Sequence, residues 1–153
     1  MTDRNLDLTL LASELLCINV ADSMDFYCGI LGFSKLYGRD NPPFAFLDRE
    51  GSQLMLEQFE PDSWLTGDMH RPFGCGINFQ IEVSYLAPLL QALENVGTAL
   101  FLEPEEAWYT SDDQLYGQHQ FLVQGPNGYL PRFCQDLGER MQDNLPETGR
   151  IRE

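Results

Sequence analysis

Few residues in this chain have the chemistry of a catalyst. The two histidines, His70 and His119, are far apart in the sequence. His70 lies in the loop Asp68-Met69-His70-Arg71-Pro72, and His119 begins an apolar run. Each reads as a surface or hydrogen-bonded histidine. The cysteines, Cys17, Cys28, Cys75 and Cys134, form no C-x-x-C pair and lack zinc-knuckle spacing. No histidine neighbours them and no G-x-S-x-G occurs, so an activated nucleophile has no support. They read as free thiols acting as small hydrophobes in a reducing compartment.

Recognition chemistry is better represented. Phe44 and Phe46 alternate on an apolar stretch, Trp64 stands in a polar loop, and Trp108, Tyr109 and Tyr116 cluster further on. Acidic neighbours include Asp48 and Glu57, then Glu103, Glu105 and Glu106. Aromatic walls suit a flat heteroaromatic or a cation, through stacking and cation–π contacts worth about 0.5–2 kcal/mol each. Each aromatic also has a structural role open to it. Phe44 and Phe46 point to one side of a strand and can fill a core. On an extended chain Trp108 and Tyr109 point opposite ways, so only one need face a ligand. Trp64 can instead seal a dimer interface.

Charge narrows the partners. Nine Lys and Arg against 24 Asp and Glu give a net charge of −15. Such a surface repels phosphate backbones, which argues against nucleic acid, and attracts cationic ligands. No run approaches the roughly 18–20 apolar residues that span a bilayer. The start, Met-Thr-Asp-Arg-Asn-Leu-Asp, lacks a basic segment followed by an apolar one, so the expected location is the cytoplasm.

The elements that must position these side chains occur twice. A strand-like run from Leu10 to Val20 precedes a short helix, which Asp22 can cap, with Asp25 in its first turn. Met24, Tyr27, Cys28 and Leu31 fall at i, i+3, i+4 and i+7, and Gly32 ends the helix. Strands are predicted at Phe33 to Arg39, Phe44 to Asp48 and Gln53 to Gln58, broken by Asn41-Pro42-Pro43 and Glu50-Gly51. The second round starts with a strand from Ile77 to Val83. Ser84 can cap a helix carrying Leu86, Leu89, Leu90 and Leu93 on one face, with Pro88 in the first turn and Gly97 at the end. Strands are predicted at Ala99 to Glu103, Gln118 to Val123 and Tyr129 to Gln135, which leaves Trp108 and Tyr109 in a loop. Pro126-Asn127-Gly128 makes the last turn. Equivalent positions lie roughly 65–77 residues apart, which reads as two duplicated modules. The division is 8–58 for the first module, 59–76 for a linking loop rich in Pro, Gly and Asp, 77–137 for the second module, and 138–153 for a polar tail expected to be poorly ordered.

Glu14-Leu15-Leu16 through Ser23-x-x-Phe26-Tyr27 and Leu31-Gly32-Phe33 resembles the opening module of the vicinal oxygen chelate (glyoxalase/bleomycin-resistance/dioxygenase) superfamily. Phe44-Ala45-Phe46-Leu47 and Leu54-Met55-Leu56-Glu57 continue the resemblance. So do the stretch from Gly76 to Val83 and Gln120-Phe121-Leu122-Val123-x-x-Pro126-x-Gly128-Tyr129-Leu130. The likeness covers residues 10–137 and is nearest to bleomycin-resistance proteins. It implies an α+β fold of two βαβββ modules, whose curled mixed sheet surrounds a cleft that a homodimer completes. Function is not implied in the same way, because this scaffold hosts isomerases, dioxygenases, transferases and binders.

Enzymes of this superfamily hold a divalent ion with His, Glu or Gln. The ligands sit near the start of each module's first strand and four residues after the turn glycine of its last. Those places fall here on Ala12 and Met55, and on Asn78 and Arg132. A methyl, a thioether, an amide and a guanidinium make no metal site, so no metal or other cofactor and no catalytic residue is expected. A slip of one or two residues would bring in Glu14 or Glu57. That supports the alternative, a metal-dependent glyoxalase- or dioxygenase-type enzyme.

The expected function is stoichiometric sequestration of a cationic, aromatic antibiotic, as bleomycin-resistance proteins do for a drug with a planar bithiazole and a cationic tail. The ligand contacts expected are the aromatic and acidic residues already named, from Phe44, Phe46, Asp48 and Glu57 to Trp64, Trp108, Tyr109 and Tyr116. His119 and Arg132 join them. Gly125 and Asn127 stand where resistance proteins are often acidic, and His119 and Cys75 where they often carry Arg. These departures bear on which ligand is bound.

Overall fold

A computed structural model describes residues 6–141 and 150–152, and the chain divides into two compact units between Phe73 and Gly74. In the first unit the apolar start of the module forms β1 (Ser13–Cys17). Asn19 then caps α1 (Val20–Met24), its side chain accepting from the N–H groups of Ala21 and Asp22 at 2.9 and 3.3 Å. The cap is thus Asn19 and not Asp22, which lies inside the first turn. The helix therefore starts three residues earlier than expected, because the Asn19 side chain meets the first free N–H groups. From Asp25 to Ile30 the helix widens to π geometry, and Leu31 N–H donates to Phe26 C=O at 3.0 Å. The wider turn shifts the buried stripe onto Val20, Ser23, Phe26, Tyr27 and Leu31, leaving Met24 and Cys28 half-buried.

β2 (Ser34–Asp40), β3 (Pro43–Arg49) and β4 (Ser52–Gln58) complete this sheet in the order β1-β4-β3-β2, with β1 parallel to β4 and the other pairs antiparallel. The β3–β4 hairpin turns on Glu50 (φ 49°) and Gly51 (φ 88°), the two left-handed positions of a tight hairpin loop. Strand alternation then sorts the side chains. Leu15, Cys17, Ala45, Leu47, Leu54 and Leu56 are buried on the face packed by α1. Glu14, Phe44, Phe46, Met55 and Glu57 lie on the other.

The second unit repeats the order. Its strands are β5 (Asn78–Glu82), β6 (Leu102–Ser111), β7 (Gln114–Leu122), β8 (Leu130–Met141) and β9 (Arg150–Arg152), in the order β5-β8-β7-β6-β9. The helix α2 (Ala87–Asn95) has Leu86 at its N-cap with no side-chain cap, so Ser84 does not cap it; Pro88 occupies the first turn as expected. Leu86, Leu89 and Leu93 are buried and Leu90 is half-buried. β6 and β7 run further than their composition suggested and take in Trp108, Tyr109 and Tyr116. Pro104, Glu105, Glu106 and the Asp112-Asp113 turn masked the alternation, but ladder hydrogen bonds join backbones whatever the side chains.

The same reason carries β8 through residues 138–141, which had been grouped with the polar tail, and lets Arg150–Arg152 pair with β6. The rest of that tail, 142–149 and 153, lies outside the described residues. Both units are therefore βαβββ modules of an α+β protein, each with its first strand parallel to the strand that ends the motif. Cys17 and Cys134 are buried, Cys75 is exposed, and none of the four cysteines is in a disulfide. No helix among the described residues is long and apolar enough to cross a membrane.

Candidate functional site

On the face of the first sheet away from α1, register brings chemically unlike residues together. Glu14 on β1 lies beside Met55 on β4, Phe46 on β3 lies opposite Met55, and Phe44 lies opposite Glu57. The edge strand β2 adds Tyr37 opposite Phe46 and Arg39 opposite Phe44. Tyr37 stacks on Phe46 with ring centroids 5.3 Å apart, and sits tilted against Phe44 at 5.8 Å. The Arg39 guanidinium lies 4.3 Å from the Phe44 centroid, and its Nη2 donates to Glu57 Oε1 at 2.8 Å. Tyr37 and Arg39 thus lie against Phe44 and Phe46, which are only 6% and 5% exposed.

Glu14 completes the group. Its carboxyl hydrogen-bonds that of Glu57, and this contact, partial burial and the like charge of Glu57 push it up to about 7, against a smaller pull from Arg39. A carboxyl that keeps its proton to near neutrality can exchange it for another cation.

The other residues named from sequence fall elsewhere. Asp48 is at the far end of the same hairpin, where it accepts from Gln53 Nε2 at 3.0 Å and the Gly51 N–H at 3.4 Å. Gln53 in turn binds Asp7 and Thr9 backbone groups at 2.7 and 2.8 Å, so this end tethers the segment before β1. An open cavity of about 550 Å³ lies there, between Leu6–Thr9 and Leu36, Asp48, Gly51 and Gln53. Trp64 is 96% exposed in the loop after β4.

In the second unit Trp108 is 0% exposed. Its Nε1 donates to Glu106 at 2.7 Å, and Arg140 lies 4.3 Å from its ring. It fills the core and presents no face to a ligand. His119 shares that side of the sheet and is half-buried. Tyr109 is on the opposite side, where its hydroxyl donates to Gln120 at 3.0 Å; Gln120 donates to Glu105 at 3.0 Å, as does Arg152 at 2.7 Å. Burial alone would raise the Glu105 carboxyl, but the bonds from Arg152 and Gln120 hold it below its ordinary value. Arg132, on this side too, donates to Gln80. Tyr116 is 42% exposed and donates to Gln114 at 3.0 Å.

Of the residues named from sequence, Phe44, Phe46 and Glu57 come together. Tyr37, Arg39 and Met55 were not selected, and Glu14 was considered only as a metal ligand. Their parity on neighbouring strands was the available signal, once the hairpin register was known.

The positions at which the fold family places a metal do not suit one. Ala12 and Met55 offer no hard donor, Asn78 is exposed, and Arg132 is a cation already bonded to Gln80. The nearby Glu14 and Glu57 are bonded to each other, and Glu57 also to Arg39. Among the described residues no three His, Cys, Asp or Glu side chains are grouped to hold an ion.

Several solved structures resemble this chain. A glyoxalase/bleomycin resistance protein/dioxygenase superfamily member from Vibrio splendidus 12B01 is 35% identical, over 80% of this chain and 95% of its own, with a TM-score of 0.36. Its sequence identity carries the kinship; the superposition adds nothing. TioX from Micromonospora sp. ML1 is 19% identical over 84% of this chain and 100% of its own, with a TM-score of 0.62. A glyoxalase/bleomycin resistance protein/dioxygenase from Alicyclobacillus acidocaldarius is 18% identical over 90% and 96%, with a TM-score of 0.59. The last two share the fold. No protein-family model and no curated protein matches the chain. With 35% identity spanning 95% of the Vibrio structure, the chain belongs to the glyoxalase/bleomycin resistance protein/dioxygenase superfamily.

Proposed function

We propose that the protein is a metal-free, homodimeric binding protein of the bleomycin-resistance kind, which sequesters a small molecule bearing a cationic group and a planar aromatic part. The observation that carries this reading is the pair Glu14 and Glu57 set beside the exposed ring of Tyr37, which lies over Phe44 and Phe46, on a face whose metal positions hold Ala12 and Met55. Carboxylates and aromatic faces recognise an organic cation together, and a net charge of −15 raises the local concentration of such a ligand. The names of the Vibrio and Alicyclobacillus proteins join three activities. The donors present here favour binding over the two that use a metal.

The test is calorimetric titration of metal-free bleomycin into EDTA-treated protein, at low and at physiological salt. Saturation at one ligand per chain, weakened by salt and without product, supports sequestration, and light scattering on the same sample reads the dimer. No heat up to about 100 μM, where only weak association remains, overturns the drug assignment. Turnover or binding that returns only with a divalent ion overturns the metal-free reading in favour of the enzyme.

A further inference from the structure

The guanidinium of Arg39 shows what the sheet face away from α1 accepts. Its Cζ lies 4.3 Å from the Phe44 ring centroid and its Nη2 donates to Glu57 at 2.8 Å. We infer that the Phe44 ring and the Glu14–Glu57 carboxyl pair form a seat for a guanidinium or primary ammonium group, that the chain's own Arg39 holds this seat in the free protein, and that the cationic group of a ligand enters by displacing it. The inference rests on the binding reading above and names the chemistry of its cationic subsite.

Three features support it. The seat has more acid than Arg39 balances: two carboxyls lie together and the one guanidinium pairs with Glu57. A ligand cation can take the place of Arg39. The occupant is also loosely held. The Arg39 side chain is 50% exposed where the ring beneath it is nearly covered, and a solvent-facing ion pair with one cation–π contact is among the weaker interactions of a folded chain. Finally, β2 is the edge strand, its pairing with β3 shifts between Lys35 and Tyr37, and Gly38 precedes Arg39. An arginine on such a strand can swing outward without breaking the sheet. The planar fork of Arg39 matches a guanidinium best, with an ammonium second.

The experiment follows backbone amide shifts of ¹⁵N-labelled full-length protein during titration with methylguanidinium, with neutral methylurea as the isosteric control. In the native chain methylguanidinium must compete with Arg39. In Arg39→Ala the seat is open, and binding at the amides of Phe44 and Glu57 is expected to tighten about five- to tenfold. Arg39→Ala combined with Glu57→Gln should lose the gain, and methylurea should shift none of these amides. Arg39→Gln repeats the test with a side chain of similar length should the alanine variant fold poorly. Equal affinity in the native chain and both Arg39 variants, or shifts confined to other acidic surfaces, overturns the inference. Its failure is separable from that of the drug reading. Bleomycin without effect beside a gain in methylguanidinium binding leaves the seat standing, whereas bleomycin bound equally by native and Arg39→Ala protein removes the seat alone.

Discussion

Glu14 on β1 and Glu57 on β4 meet across a parallel strand pair and hydrogen-bond to each other, with Arg39 bonded to the Glu57 side. Glu14 is raised from 4.5 to about 7, with Glu57 and Arg39 as the charged groups acting on it. A carboxyl raised on folding favours the protonated native state. Its stabilising effect is complete below pH 4.5 and is lost as pH rises toward 7. Glu14→Gln keeps a neutral hydrogen-bonding group at every pH. Relative to the native chain it should gain about 1 kcal/mol between pH 5 and pH 8, the modest size reflecting solvent screening of an exposed group. Urea unfolding at the two pH values measures this, and parallel pH profiles for both proteins would remove the retained proton.

Proton release should also show in binding. A cation that enters the seat competes with the proton on Glu14, so its affinity should climb as pH passes through about 7 and level off above. Methylguanidinium titrations at pH 6 and pH 8 should differ by roughly tenfold at most, the limit for one displaced proton per pH unit below the titration. In Glu14→Gln the difference should vanish. A pH dependence that survives this substitution would place the linked proton elsewhere.

How much of this was legible in sequence depends on which physical rule governed each element. The duplicated βαβββ order was readable because Leu86, Leu89 and Leu93 keep helical spacing and Glu50-Gly51 and Pro126-Asn127-Gly128 punctuate the strands. β6 was not, because Pro104, Glu105 and Glu106 carry loop composition into a strand held by backbone pairing. Phe44 and Glu57 could be chosen by type, but their meeting with Arg39 depends on hairpin register, which a slip of one residue would reverse. Trp108 shows the opposite failure. Its type suggested a ligand contact, while its place on β6 turns it into the core beside Gly117.

That placement can be checked through Gly117. A Cβ there would lie 2.6 Å from the Trp108 Cη2 and Cζ3 atoms, in a site with no free space. Gly117→Ala should therefore destabilise the protein by about 1–3 kcal/mol, the usual cost of overpacking. The two tryptophans should also separate optically. Trp64, 96% exposed, should carry the acrylamide-quenchable, red-shifted emission, which Trp64→Phe removes; Trp108 should resist quenching. Quenching unchanged in Trp64→Phe would mean that Trp108 is not enclosed.

The last strand gives the most local test. β9 pairs in parallel with the middle of β6, Arg152 opposite Tyr109, and Arg152 Nη2 donates to Glu105 Oε1 at 2.7 Å. Glu105 also accepts from Gln120, a residue 2% exposed whose own oxygen accepts from Tyr109. Removing the Arg152 side chain leaves Glu105 with one donor in place of two, so burial should push its carboxyl upward. The sign of the pH effect follows. A carboxyl held low in the native state adds stability above its unfolded value and loses it as pH falls, so Arg152→Ala should cost most near neutrality and little near pH 3. The ion pair is partly exposed, which limits the cost to about 1 kcal/mol. Amide exchange adds the structural half. Arg152→Ala should speed exchange along β9 and at the β6 groups that pair with it, and leave β7 and β8 protected. Unchanged exchange on β6 and β9, together with an unchanged acid limb, would show that Arg152 does not hold the strand in place.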